Sequence, residues 1–184
     1  MDFVVPHDPN WAADYRTEAE DIRRALTGLS IELHHIGSTA VPGVLAKPII
    51  DIMGVASDLA GLDRYNANLE RLGYEVMGEL GIPNRRFFRK ITAEGLRTHH
   101  LHVFLSESPH VVRHIAFRDY LRATPEIATK YCALKAALTK NEQAGWDAYL
   151  DGKERFVIET EAQALVWWQS NSTSSGDALS IAQT

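Results

Sequence analysis

A single cysteine, Cys132, stands in a chain of 184 residues, so no internal disulfide can form and a reducing compartment is the natural setting. That thiol falls within a helical pattern and reads as core packing. No run approaches the ~18 consecutive apolar residues of a membrane-spanning helix. The opening residues, MDFVVPHDPNW, carry neither a basic segment nor a long apolar one, so no secretory leader is expected and the chain reads as cytoplasmic. Positive charge is also short. The 19 Lys and Arg against 24 Asp and Glu leave a net charge of −5, which removes the broad basic footprint of a DNA- or RNA-binding protein, local patches aside. Nucleic acid is therefore not an expected partner. A Walker loop, a G-x-G-x-x-G fingerprint and a Ser-His-Asp or Cys-His elbow are missing too, which argues against P-loop kinases, dinucleotide-binding enzymes and hydrolases with an activated nucleophile.

What the chain does have is the stretch Glu32 to Val55, ELHHIGSTAVPGVLAKPIIDIMGV. Two apolar runs, Ile31 to Ile36 and Ile49 to Val55, flank a linker rich in Gly, Ser, Thr and Pro, which reads as strand, anion-sized loop, strand. Gly37 lets the backbone approach a ligand closely, and Ser38 and Thr39 offer hydroxyls and main-chain N–H groups to phosphate oxygens. Asp51 enters on the second strand. A carboxylate beside a phosphate-sized nest repels it unless a cation or proton lies between them, and a divalent metal would fill that role. The alternative is a turn whose hydroxyls cap backbone groups and whose aspartate is a structural acceptor.

In chain order, Asn10 is a candidate N-cap for a helix carrying Trp11, Tyr15, Ala19, Ile22 and Leu26 at spacings of three and four, stopped by Gly28. Ser57 or Asp58 caps a second helix to about Leu72. Strands are expected at Tyr74 to Met77, Arg85 to Ile91 and His99 to Leu105, the last pairing back on its predecessor. The sum is an α+β fold, a small mixed or antiparallel sheet with helices against one face. Beyond Pro109 the pattern is helical, broken by Pro125 and Gly145 into Val111 to Ala123, Pro125 to Asn141 and Trp146 to Trp168. The tail from Ser170 is small and polar, and disorder is expected there.

Two further groupings carry chemistry. His100 and His102 share one strand face, with His34 and His35 on the first strand, and a mixed His-Asp site favours zinc or manganese over magnesium. Lys47 lies between the loop and Asp51, while Arg85 and Arg86 stand on opposite strand faces with Arg89 beyond Phe87 and Phe88, so at least one guanidinium is expected against an apolar surface, suited to bidentate phosphate recognition.

The strings HIGSTAVPG and AKPIIDI, with FRDYLRATPEIATKYCALKAALT and AYLDGKERFV further on, resemble the GrpB family over nearly all of Trp11 to Trp168. The resemblance implies a nucleotidyltransferase-like core over about residues 1–108 and a helical part over 109–169, together one domain of 1–169, with 170–184 as the tail. In that superfamily Gly-Ser on a turn precedes a strand bearing two carboxylates one residue apart. Gly37-Ser38 and Asp51 match, whereas Met53 stands where the second carboxylate belongs. The implied function is binding of a nucleotide or other phosphorylated ligand between the two parts, with nucleotidyl or phosphoryl transfer if it is catalytic. Asp51 would hold a divalent metal, Mg, Mn or Zn, together with His102, which would stand at the position of the third carboxylate. Gly37, Ser38, Thr39, His35, His100, Lys47, Arg85, Arg86, Arg89 and, from the helical part, Arg118, Lys135 and Lys153 would surround the ligand. The alternative is a non-catalytic accessory module with a protein partner, as in fusions to dephospho-CoA kinase.

Overall fold

The computed structural model describes residues 4–139 and 145–174. Helix α1, Trp11–Ala25, buries Trp11, Ala19 and Ile22 along one stripe. Asn10 holds the N-cap position, but its side chain makes no capping bond; instead the Asp8 carboxylate, two residues earlier, accepts from the Asn10 N–H at 2.9 Å. Five strands follow, β1 Ile31–Ile36, β2 Ile50–Ala56, β3 Tyr74–Val76, β4 Arg86–Ile91 and β5 Arg97–Leu105. They pair in the order β1-β2-β5-β4-β3, with β2 and β5 parallel and every other neighbour antiparallel. The sheet is therefore mixed, one of the two arrangements the strand pattern allows.

One face of the sheet, bearing Leu33, Ile50, Ile52, Phe88, Leu101 and Val103, packs on α1 and on two short helices, α2 Leu59–Asp63 and α3 Asn66–Arg71. A single helix to Leu72 is expected from the apolar stripe, but the chain turns between α2 and α3. The Tyr65 hydroxyl there donates to the Thr27 carbonyl at 3.1 Å, and the Asn68 amide donates to Ala25 at 2.7 Å. These tethers to the end of α1 hold the segment in two pieces.

The other face bears Ile36, Asp51, Met53, His100, His102 and Phe104, because Asp51 stands opposite Ile36 and His100, and Met53 opposite His102. Helices α4 Pro109–Ala123, α5 Pro125–Thr139 and α6 Gly145–Ser174 gather on this side, so helices cover both faces of the sheet and not the single face expected from the sequence, because each face carries its own apolar cluster. Ser108 caps α4, with Pro109 in its first turn, where a missing N–H costs nothing. Val111 and Ile115 of α4 close over Ile36, Met53 and Phe104. The predicted helix end at Asn141 lies outside the described residues. α6 continues through Ser174 because Ser170 and Asn171 bond back to the carbonyls of Val166 and Trp167, at 3.0 and 2.8 Å. Residues 175–184 of the expected tail lie outside the described residues. No described helix is long and apolar enough to cross a membrane.

Candidate functional site

The turn after β1 is a single 3-10 turn, Ser38–Ala40, entered through Gly37. Gly37 has φ +72°, and a Cβ added there would lie 2.5 Å from the Asp51 carboxylate. The glycine thus answers two needs, a backbone shape that side chains disfavour and room for Asp51 beneath it. Gly37→Ala is expected to lower the unfolding free energy by about 2 kcal/mol, measured by urea denaturation. Wild-type stability in that variant would remove the steric argument. The turn is clamped from behind: Arg122 of α4 donates twice to the Ala40 carbonyl, at 3.0 and 2.7 Å, and Arg118 donates to the His35 carbonyl at 3.1 Å.

Asp51 faces two imidazoles across the parallel β2–β5 pair. Its Oδ1 is 3.1 Å from His100 Nδ1 and 3.9 Å from His102 Nε2. Burial by itself would raise the Asp51 carboxyl, but hydrogen bonding and charge from His100 and His102 outweigh it and hold the group well below the usual carboxylate range. One donor atom from each of the three lies within 4.8 Å of the others, a spacing a single metal ion can bridge. A carboxylate oxygen with two imidazole nitrogens fits zinc or manganese in donor type. The surroundings of His102 oppose full engagement. Arg85 Nη1 sits 3.4 Å from His102 Nδ1, and an arginine only donates, so Nδ1 accepts and a neutral ring carries its proton on Nε2, the atom facing Asp51. A metal on Nε2 would return that proton to Nδ1, against the guanidinium, whereas bound imidazoles are ordinarily steadied by an acceptor there.

Beside Asp51 opens a cleft of about 200 Å³, lined by Ser38, Thr39, Lys47, Asp51, Arg97, His100, Lys135 and Lys153, with Ile49 and Tyr149. Lys135, only 2% exposed, donates to Ser38 Oγ and to the Leu45 carbonyl, with its ammonium 3.9 Å from the centre of the Tyr131 ring. Burial, with Lys153 nearby, pushes Lys135 down to about 7. Burial also lowers Lys153 and Lys47, the latter helped by Arg97, and raises Tyr149 to about 12. Neutralising this concentration of positive charge is what an anion bound in the cleft would do.

The structure thus gathers Gly37, Ser38, Thr39, Lys47, Asp51, His100, Lys135 and Lys153, with His102 behind His100. Other residues expected around the ligand stand elsewhere. His35 pairs with Ile52, on the face covered by α1, where it stacks on Tyr15 with ring centroids 4.8 Å apart. It reaches the site only through Thr39 Oγ1, 3.0 Å from its Nε2, and burial beside Arg122 pushes its imidazole down to about 4. Arg86 is held by both oxygens of Asp63, at 2.6 and 2.8 Å, Arg89 by Glu75, and Arg118 by Asp119 and the His35 carbonyl. Arg85 is the guanidinium against an apolar surface, 4.9 Å over the Phe87 ring. Sequence reading missed Arg97. Strict alternation puts it with His99, but a bulge at Lys90/Ile91 pairs Ile91 with Arg97 and skips Thr98, which turns Arg97 to the His100 face.

The family described as GrpB protein matches residues 3–163. Protein YqkA of Bacillus subtilis is 33% identical over 176 residues, covering 96% of this chain and 51% of its own length. A dephospho-CoA kinase of Mycolicibacterium paratuberculosis is 25% identical, covering 91% of this chain and 47% of its own. The chain therefore spans about half the length of each of these relatives. Among solved structures, the conserved protein GrpB from Enterococcus faecalis superposes with a TM-score of 0.85 at 36% identity, over 90% of this chain and 99% of that one. The Cid1 poly(U) polymerase with magnesium and 3′-dATP bound superposes with a TM-score of 0.57 at 11% identity, over 77% of this chain and 45% of that one. This second likeness shows a shared nucleotidyltransferase-like fold.

Proposed function

Because the chain belongs to the GrpB family, whose fold here is nucleotidyltransferase-like, we propose that its cleft binds a nucleotide or other phosphorylated ligand beside a divalent metal. One observation carries this reading: Lys47, Arg97, Lys135 and Lys153 converge with the Ser38–Thr39 turn on a single cleft that also holds Asp51 and His100. Phosphate oxygens would take hydrogen bonds from Ser38 and Thr39 and charge-assisted ones from the lysines and Arg97. Asp51 and His100, with His102 if Arg85 gives way, would hold zinc or manganese, which supplies a Lewis acid to a phosphoryl oxygen. If the site is catalytic, the reaction is nucleotidyl or phosphoryl transfer, with the cations neutralising charge that develops on the phosphoryl group.

The test is thermal unfolding of wild type and Asp51→Ala with nucleotides, coenzyme A precursors and sugar phosphates, each with and without Mg²⁺, Mn²⁺ and Zn²⁺. A ligand at 100 times its dissociation constant adds about 2.7 kcal/mol to stability. The expected result is a metal-dependent rise in the midpoint that Asp51→Ala loses. If no phosphorylated compound shifts wild type, the reading fails.

A second reading, a non-catalytic binding or accessory module, is favoured by Met53. It is fully buried where a second carboxylate would stand, and a thioether does not serve a hard cation. The dephospho-CoA kinase relative is consistent with such a role in trans. Under this reading a phosphorylated ligand still binds without metal, and Asp51→Ala keeps its response.

A further inference from the structure

We propose that the cleft reads a phosphate chain and not the group attached to it: it takes a di- or triphosphate terminus and leaves a nucleoside, or any other remainder, outside. The inference rests on the reading that the cleft binds phosphorylated ligands, and it narrows the ligand class. Three observations carry it.

The first is size. At about 200 Å³ the cleft is smaller than the ~300–1,000 Å³ of sites that enclose a whole drug-sized ligand, so the phosphates and the sugar with its base do not fit together. The second is the lining. Four cationic side chains and the hydroxyls of Ser38 and Thr39 meet there, while the apolar surface comes from Ile49 and the ring of Tyr149. Recognition of a base needs an aromatic face to stack on and amide or carbonyl groups at its edge. Among the described lining residues there is no Asn or Gln, Tyr149 sits beneath Lys153, whose Nζ is 5.4 Å from the ring centre, and the other aromatic ring, His100, is engaged by Asp51 through Nδ1 at 3.1 Å and packed against Phe87. The third is the placement of Lys135. Its ammonium is buried under the Ser38 hydroxyl, so the floor of the cleft presents charge with the hydroxyl as its donor. Such a floor gains most from the multiply charged end of a chain and little from a singly charged diester. Together with Asp51, the described lining residues form a charge-matched receptacle with no side-chain amide to read the edge of a base.

The experiment is calorimetric titration of the full chain at fixed pH, ionic strength and Mn²⁺ concentration. The probes are inorganic triphosphate, inorganic pyrophosphate, the four ribonucleoside triphosphates, AMP and adenosine. The expected result is that inorganic triphosphate and all four nucleotides bind within about threefold of one another. AMP should be at least tenfold weaker than ATP, and adenosine should not bind. Arg97→Gln should weaken inorganic triphosphate and the four nucleotides by one common factor, because it touches only what they share. One nucleotide binding more than tenfold tighter than inorganic triphosphate overturns the inference while leaving a phosphorylated-ligand site intact. If neither inorganic triphosphate nor any nucleotide binds, the underlying reading falls as well, so the two failures are distinguishable.

Discussion

Replacing Met53 with aspartate lowers the unfolding free energy by about 3–5 kcal/mol and leaves the response to Mn²⁺ no stronger than wild type. By its position in the strand, Met53 is the natural place to restore a carboxylate pair: it follows Asp51 by two residues and stands opposite His102. Yet the side chain is fully buried, closed over by Ile36, Phe104, Val111 and Ile115. A carboxylate there meets aliphatic and aromatic side chains where α4 covers it, and it ionises only at the full cost of desolvation. Urea denaturation at neutral pH checks the magnitude, with Met53→Leu as the volume-conserving control at less than about 1.5 kcal/mol. A stable Met53→Asp protein that binds Mn²⁺ more tightly would show that packing does not exclude the second carboxylate.

Lys135→Met should weaken binding of inorganic triphosphate by about 30- to 100-fold and, with no ligand present, flatten the dependence of stability on pH above neutrality. The direction follows from the proton balance. Burial holds Lys135 at about 7 in the folded protein against an ordinary 10.5, so between those values the unfolded chain binds the additional proton. Stability must then rise with pH from about 7 to 10.5, and the burial penalty is present in full below that window. Methionine has no proton to exchange, so its variant loses this slope. Chemical denaturation at several pH values measures the slope, and titration at neutral pH measures the affinity. An unchanged slope in Lys135→Met would mean that another group carries the linkage. The same balance makes triphosphate binding near pH 8 take up a proton, because a bound polyanion returns Lys135 to its charged form.

Much of the site was legible in the chain because its signals are local. A glycine and two hydroxyls between apolar runs announce the turn, and period-two alternation puts His100 and His102 on one face. The same alternation puts Met53 on the face of Asp51, where the family resemblance implies a second carboxylate. The α+β class follows from the spacing of strands and breakers, whereas the choice of a mixed over an antiparallel sheet came only with the parallel β2–β5 pairing. What failed was whatever depends on partners distant in sequence. Arg86 and Arg89 look like phosphate ligands until Asp63 and Glu75 are found beside them. His35 sits next to the turn in sequence, but pairing with Ile52 puts it on the far side of the sheet. No local pattern announces that Arg85 occupies the outer nitrogen of His102.

The sequence by itself determined which groups exist and on which short segment each rides: the Gly-Ser-Thr turn, the single carboxylate, the paired histidines, and lysines on helices far down the chain. Tertiary structure decided which of these meet. The parallel β2–β5 pairing brings Asp51 to His100, a distance of 49 residues along the chain, and the packing of α5 brings Lys135 under Ser38, 97 residues away. One skipped residue in the β4–β5 register admits Arg97 to the cleft. The physical reason is that alternation and capping act over one or two turns of chain, whereas strand register and the burial of a charge are set by surfaces that exist only once the sheet has closed against its helices.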